Sequence, residues 1–564
     1  MEEGLGGPEP SRETPVARCR TAEEKSVSPA PTVRDAAFEV LRRFGATTVF
    51  ANPGSTEIAL LTDLPDDLEF VLALHEGSVV GMATGWALAN DRPAVAILHT
   101  TAGLGNAVGA LATARVNRAP LVVLVGQQDR RHLALEPFLT GHRLDDLARP
   151  TPVWIAEPLR AQDVPGALAR AWHEAREHRG PALVIVPMDD WSEPADADEP
   201  LPAPARLVRA NAAEPAVLAE LAEFLGAASN PVLVVGAGAD DAESWRGLTA
   251  LAEKLACPVW QEAFGARAGF PQDHPQFAGH LPPGREELRK ALSGHDAVLS
   301  VGAPVFRQYP REPGQLAEPG TRLAVVTDDP NEAHRSPVDL AVLARPSAVC
   351  APLAELVPAR EARAEKVGRT VELPGKPRDG APLGPEHVFG LLARQLPKDT
   401  VLVEESPSSR PLLHALVPAR EPLGFLSAAM GGLGFGIPAA IGLRMGGLKR
   451  PVVAVIGDGS SLYSIQALWS AAHYGVGVLV LVLSNGGYAI MDKLAVRHGE
   501  RTAGGGKAPW PGFDEVSVSG LAKSLGCPAR RAETCEELES VLTEVLPTLA
   551  ARTEPLVLEV AVTA

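Results

Sequence analysis

The sequence predicts an α/β protein built of three doubly wound parallel-sheet units, and three observations predict it. Apolar runs of strand length alternate with segments of helical length, as at Thr48-Val49-Phe50, Ala94 to Leu98 and Leu121 to Val125. Such alternation is the pattern of a parallel sheet covered by helices. Two stretches break it, the Pro- and Ala-rich Glu193 to Pro204 and the polar, charged Arg360 to Pro385. The 564 residues suffice for three units at about 150–200 residues each.

Residues 1–30 are rich in Glu, Pro, Ser, Arg and Gly without an apolar period, and are expected to form a disordered tail. The first unit, 31–195, opens with an amphipathic stretch (Ala36 to Phe44), an apolar run and the turn Asn52-Pro53-Gly54. The second, 210–358, opens with the strand Pro231 to Val235, which runs into Gly236-Ala237-Gly238-Ala239. That is a partial dinucleotide fingerprint: Asp241 stands at its third glycine, and no clear ribose acid follows at the usual distance. A linker at 359–384 leads to the third unit, 385–564.

The first and third units read as copies of one another. Arg92 to Gln127 lies on Arg450 to Asn485 without a gap. Each begins Arg-Pro, enters an apolar strand (Ala94 to Leu98; Val452 to Ile456), passes a Gly-containing turn and a helix-length segment, and closes on a second strand (Leu121 to Val125; Leu479 to Leu483). Gly85 falls near Gly442 upstream. The copies differ at two adjacent strand ends. Thr100 and Gln127 of the first unit correspond to Asp458 and Asn485 of the third. Ligands sit at the carboxyl ends of strands in open α/β sheets, so a carboxylate and an amide there mark the copy that carries a ligand.

Asp458 offers a carboxylate, Asn485 an amide oxygen and Gly487 a peptide carbonyl. These are the hard oxygen donors that Mg²⁺ or Ca²⁺ requires, with positions left for phosphate oxygens. Gly457 and Gly459 let the backbone approach a phosphate closely. Ser460 and a following helix N-terminus add donors for an anion. A lone Gly-Asp-Gly is a common turn. Here it follows one apolar strand, and an Asn follows the next.

Composition narrows the partners. Hydrophobic residues make up 46% and charged residues 21%, and 52 Lys and Arg face 69 Asp and Glu for a net charge of −17. An acidic surface repels phosphate backbones and anionic lipid, which argues against nucleic-acid and membrane-surface binding. The longest apolar run, Val476 to Leu483, is too short to cross a bilayer. No basic flank precedes an apolar run at the N-terminus, so no signal peptide is expected. Five scattered cysteines (Cys19, Cys257, Cys350, Cys527, Cys535) fit free thiols in a reducing cytoplasm.

The GDG-to-Asn pattern resembles the metal-diphosphate motif of thiamine diphosphate-dependent enzymes. The resemblance implies thiamine diphosphate held through Mg²⁺ (or Ca²⁺) by Asp458, Asn485 and the Gly487 carbonyl. It names the three units pyrimidine-binding, central and diphosphate-binding. It also implies that Glu76, in Phe70-Val71-Leu72-Ala73-Leu74-His75-Glu76-Gly77, is the carboxyl that hydrogen-bonds the pyrimidine ring and favours its imino tautomer. Ala429-Met430-Gly431-Gly432-Leu433-Gly434-Phe435-Gly436 looks like the segment that props the cofactor into its bent shape. Leu433 would be its wedge, and the Gly431 carbonyl would receive the pyrimidine amino group. Gly459, Ser460, Tyr488, and Ser406 and Ser408 of Glu405-Ser406-Pro407-Ser408 match further cofactor contacts. Relatives hold FAD or ADP in the central unit, or nothing. The incomplete fingerprint leads us to expect nothing there.

Asn52-Pro53-Gly54-Ser55-Thr56-Glu57, Leu98-His99-Thr100-Thr101-Ala102-Gly103-Leu104-Gly105-Asn106 and Gly302-Ala303-Pro304-Val305-Phe306-Arg307 are similar to the benzoylformate decarboxylase branch of that family. By this resemblance Ser55 holds a substrate carboxylate and His99 serves in proton transfer. The branch's second catalytic His falls at Tyr309, whose phenol has a reference pKa near 10 against about 6.5 for imidazole. Beyond the metal loop the sequence also departs at Ile490 and Leu494. The expected activity is decarboxylation of a 2-oxo acid. The alternatives are a carboligase of the acetolactate synthase type or a cofactor-binding protein without turnover. The expected assembly is a homo-oligomer, a dimer or a dimer of dimers (homotetramer), because in the family the cofactor lies between two subunits.

Overall fold

The computed structural model describes residues 30–205, 207, 212–361, 371–378, 381–497 and 509–563. The tail expected at 1–30 lies outside them except for Ala30, as does much of the linker expected at 359–384.

Three parallel sheets of six strands form the described chain. The first holds β1 (Thr48–Ala51), β2 (Glu69–Leu72), β3 (Ala94–Leu98), β4 (Leu121–Gln127), β5 (Trp154–Ala156) and β6 (Pro181–Pro187), in the order β2-β1-β3-β4-β6-β5. The second holds β7 (Pro231–Val235), β8 (Val259–Gln261), β9 (Phe277–His280), β10 (Ala297–Val301), β11 (Arg322–Thr327) and β12 (Leu340–Leu343), in the order β12-β11-β10-β7-β8-β9. The third holds β13 (Val401–Glu405), β14 (Phe425–Ser427), β15 (Val452–Gly457), β16 (Leu479–Ser484), β17 (Ala529–Ala532) and β18 (Leu556–Ala561), in the order β14-β13-β15-β16-β18-β17.

The first and third sheets share one strand order, so the repeat seen in the sequence extends to the whole topology. Their central strands are buried along their length, as β3, β4, β15 and β16 show. Helices cover both faces of such a sheet, so its strands read as continuous apolar runs. The second sheet has a different order, with its switch point between β7 and β10. A helix, Pro215–Gly226, precedes β7, so this unit opens on a helix rather than on the strand expected from the sequence.

Two helices join the copies. Glu76–Asn90 and Gly436–Met445 are buried on almost every side, the pattern of a helix inside a core. Glycines at the crossing let their backbones touch. A Cβ on Gly85 would lie 2.1 Å from the Ala439 carbonyl oxygen, and one on Gly442 would lie 1.9 Å from that of Met82. One apolar core therefore runs from the first unit into the third, through Val80, Met82, Ile437 and Ile441. Gly85→Ala should destabilise the protein by about 1–3 kcal/mol, because the obstructing atoms are backbone and cannot yield. Gly166→Ala, on a helix where an added Cβ meets nothing within 4 Å, should be neutral or slightly stabilising. Urea unfolding midpoints of the two variants check this.

Side chains of the third unit also finish the edge of the first sheet. Tyr474 Oη accepts the Leu72 N–H at 2.9 Å, and Ser470 Oγ donates to the Leu72 carbonyl at 2.9 Å. This fixes edge strand β2, whose continuation carries Glu76. Cys257, Cys350, Cys527 and Cys535 are buried and form no disulfide, and Cys19 lies outside the described residues. Among the described residues no helix is long and apolar enough to cross a membrane.

Candidate active site

The carboxyl ends of the first sheet gather Glu76, His99 and Ser55. Glu76 is the first residue of its helix, behind the N-cap His75, whose Nδ1 accepts the Gly77 N–H at 3.0 Å. Its carboxyl is 8% exposed. Asn52 Nδ2 donates to Oε1 at 3.1 Å, and Asn106 Nδ2 donates to Oε2 at 3.0 Å. A buried carboxyl needs such donors, and these two hold it in one orientation.

His99 caps the next helix, Thr100–Val116. Its Nδ1 lies 3.0 Å from Glu57 Oε2 and 2.9 Å from Thr56 Oγ1. Glu57 is buried, and it also accepts the Gly54 N–H at 2.7 Å and the Thr56 hydroxyl. A carboxylate acceptor at Nδ1 places the ring proton there and leaves Nε2 as the working atom. Gly54 must be glycine, since a Cβ would lie 2.4 Å from the His99 ring. Ser55 is exposed, in the single turn Ser55–Glu57.

The matching ends of the third sheet gather the oxygen donors. Asp458 Oδ2 accepts the N–H groups of Asn485 and Gly486, each at 2.8 Å, and Oδ1 accepts that of Gly459 at 2.8 Å. Asp458 is 5% exposed and makes no ion pair among the described residues. Burial pushes its carboxyl above the ordinary aspartate range, opposed by these three N–H donors. Asn485 Oδ1 accepts the Gly487 N–H at 3.1 Å. Gly486 adopts φ +68°, and a Cβ there would lie 2.0 Å from Asp514 Oδ1. A polar cavity of about 240 Å³ opens beside these residues, lined also by Ser484, Phe513, Asp514 and Arg531. Among the described residues no three His, Cys, Asp or Glu side chains cluster as a metal site. The donors at Asp458 are thus a buried carboxylate without a cationic partner, an amide oxygen and a peptide carbonyl. This set fits a hard divalent cation that keeps places for phosphate oxygens.

Glu405 organises the glycine-rich loop. Its Oε1 accepts the Gly434 N–H at 2.6 Å, and its Oε2 accepts those of Phe435 at 2.9 Å and Gly436 at 2.5 Å. Burial pushes this carboxyl up to about 7 despite the three donors. Gly431 and Gly434 adopt φ +69° and +96°, so the bend that carries half-buried Leu433 requires glycine. Ser406 is buried behind this loop, and Ser408 receives Lys493 Nζ on its carbonyl at 3.3 Å. Tyr488 packs edge-on against Phe513 at 5.3 Å. Gly459 faces the same ring, and Ser460 is buried in the single helical turn Asp458–Ser461, shorter than the helix expected there.

The candidate residues thus form two groups. Glu76, His99 and Ser55 stand at the first sheet, and Asp458, Asn485, Gly487, Leu433 and Tyr488 at the third. Tyr309 stands apart in the central unit, 61% exposed, its ring edge-on to Phe264 at 6.2 Å. Sequence reasoning assigned no role to Asn52, Asn106, Glu57 or Glu405, although each lies inside a segment it singled out. Their partners come from other strands and helices of the fold, so the local sequence carried no signal for them. In the central unit the glycines after β7 serve a neighbouring loop. The Gly238 N–H donates to the Gly302 carbonyl at 2.8 Å, and a Cβ on Gly302 would lie 2.4 Å from Ala239 N.

Residues 31–146 match the N-terminal TPP binding domain of thiamine pyrophosphate enzymes, 218–353 the central domain and 408–560 the C-terminal TPP binding domain. The chain is 40% identical over 531 residues to a benzoylformate decarboxylase of Pseudomonas aeruginosa, covering 94% of this chain and 98% of the relative. It is 26% identical over 553 residues to an acetolactate synthase large subunit of Corynebacterium glutamicum, covering 94% and 86%. Among solved structures, a thiamine diphosphate-dependent 4-hydroxybenzoylformate decarboxylase of Rhodococcus jostii superposes with TM-score 0.87 at 35% identity, covering 94% of this chain and 99% of that one. A benzoylformate decarboxylase of Polynucleobacter necessarius gives 0.88 at 34% identity, also covering 94% and 99%. With its three matching domains and a relative 40% identical over nearly its whole length, the chain belongs to the thiamine pyrophosphate enzyme family.

Proposed function

We propose that the protein decarboxylates a 2-oxo acid without oxidation, in the manner of benzoylformate decarboxylase, using thiamine diphosphate and Mg²⁺. The observation that carries this is the placement of Glu76 between two amide donors in a chain whose other half-site holds an unpaired buried carboxylate. Asp458, Asn485 Oδ1 and the Gly487 carbonyl would hold the metal, and Gly459 and Ser460 would contact the diphosphate. The bound cofactor supplies a nucleophilic carbon and an electron sink for the bond to the departing carboxylate. Glu76 carries the charge that activates it, in an orientation Asn52 and Asn106 fix. The exposed Ser55 hydroxyl binds the substrate carboxylate. His99, with Nδ1 held by Glu57, hands protons through Nε2.

The assembly we infer is a homodimer or a dimer of dimers, in a cytoplasmic enzyme. Glu76 and Asp458 hydrogen-bond only within their own units among the described contacts. Large apolar side chains stand exposed around both half-sites: Ile58, Leu74 and Phe138 on the first unit, and Met430, Tyr463 and Met491 on the third. Patches of this kind mark surfaces that another chain covers.

Product analysis tests the reaction. With Mg²⁺ and thiamine diphosphate, benzoylformate or another 2-oxo acid such as pyruvate should give CO₂ and the aldehyde. Acyloin in place of aldehyde would establish the carboligase, a reading supported by Tyr309, since a phenol shuttles protons poorly near neutral pH. Neither product from any 2-oxo acid would refute the proposal.

A further inference from the structure

The central unit contains a buried ion pair that the reaction scheme does not use. Glu262 follows β8 and is 3% exposed. Its Oε2 accepts the Arg307 Nε–H at 3.1 Å. Gly236 leaves the space for it, since a Cβ there would lie 2.6 Å from Glu262 Oε1. Two residues further along each segment a second contact forms, Phe264 packing edge-on against Tyr309. Phe264 holds φ +56°, a conformation a bulky residue adopts only when its surroundings impose it.

The segment 305–309 has further anchors. The Val305 N–H donates to Ser336 Oγ at 3.0 Å, Arg285 Nε donates to Gln308 Oε1 at 3.1 Å, and the Tyr309 N–H donates to the Pro283 carbonyl at 3.2 Å. The backbone of Tyr309 is thus fixed on one side, and the Glu262–Arg307 pair fixes it on the other. The Tyr309 side chain itself is left exposed.

We propose that Glu262 is a positioning residue for Tyr309, acting through Arg307 to fix the direction of the phenol ring. This rests on the proposed function, in which Tyr309 takes the place of the branch's second catalytic His. Burial, opposed by Arg307, pushes the Glu262 carboxyl up to about 7; Glu332 and Arg335 of the helix Pro330–Arg335 also face it. The full ion pair therefore exists above that pH, and protonation below it leaves only a hydrogen bond from the Arg307 guanidinium to a neutral carboxyl.

The test is a double-mutant cycle on the holoenzyme with its best 2-oxo acid. E262Q keeps the shape and removes the charge. It should lower kcat/KM by about ten- to a hundredfold, the scale of a misplaced active-site group, with thiamine diphosphate affinity unchanged. It should also remove from the pH profile the acid limb near 7 that belongs to Glu262. In the Y309A background the same change should cost nothing further, because its target is gone. R307K, which replaces the directed Nε–H of the guanidinium by a freely rotating ammonium on the pair's more exposed side, should show the same coupling if E262Q folds poorly. Losses from E262Q and R307K that simply add to that of Y309A would overturn the inference and leave the role of Tyr309 standing. A silent Y309A would refute that role and the inference with it.

Discussion

Glu76→Gln should bind thiamine diphosphate at near wild-type affinity and turn over about 10²–10⁴-fold more slowly, the range that a well-placed acid–base group contributes. The substitution keeps the side chain's length and volume. It replaces an acceptor with two oxygens by an amide with one oxygen and one donor. Asn52 and Asn106 each donate to Glu76, so one of them would face an N–H in the variant. A buried donor left unsatisfied costs about 1–3 kcal/mol, and the variant should unfold at a somewhat lower temperature. Exchange of the C2 proton of the bound cofactor, followed by NMR in D₂O, separates the chemical effect from the structural one. Unchanged exchange with a lowered melting point would make Glu76 a structural residue only.

Asp458→Ala should lose more than about 100-fold in Mg²⁺-dependent thiamine diphosphate affinity. Loss of an outer-shell partner already costs about 10–100-fold in metal sites, and Asp458 would be a direct ligand. Its removal also strands the N–H groups of Gly459, Asn485 and Gly486, which now converge on one carboxylate. Asp458→Asn keeps an oxygen for those donors while removing the charge, so it isolates the cation's share. Titration calorimetry across a Mg²⁺ series reads both. Wild-type affinity in either variant would remove Asp458 from the site.

The proposed metal half of the site could be read from the sequence because its residues follow two apolar strands in one continuous stretch, with an unaltered copy in the first unit for comparison. Thr100 and Gln127 show what those positions do without a ligand. Gln127 exchanges two hydrogen bonds with Gly141 and pins a loop. The supporting residues were not legible, because their contacts depend on which strands pair. Asn52 meets Glu76 only because β1 and β2 are neighbours, and Glu57 meets His99 only because β1 also pairs with β3. Glu405 reaches the loop at Gly434 across a similar gap, where β13 pairs with β14 and β15. The apolar pattern gives the strands and their direction but not their order. The single-turn helix at Asp458 is local, yet the run Gly459-Ser460-Ser461-Leu462 has no stop signal to show how short it is.

Co-expression of Glu76→Gln with Asp458→Ala tests most directly the claim that Glu76 and Asp458 complete one site across two subunits. Each variant alone should be nearly inactive. A mixed dimer contains one site that pairs both lesions and one that pairs both intact residues. With random pairing in a closed dimer, the mixture should recover about a quarter of wild-type activity. Activity no higher than that of the two parents, in a preparation shown to contain mixed dimers, would contradict the shared site.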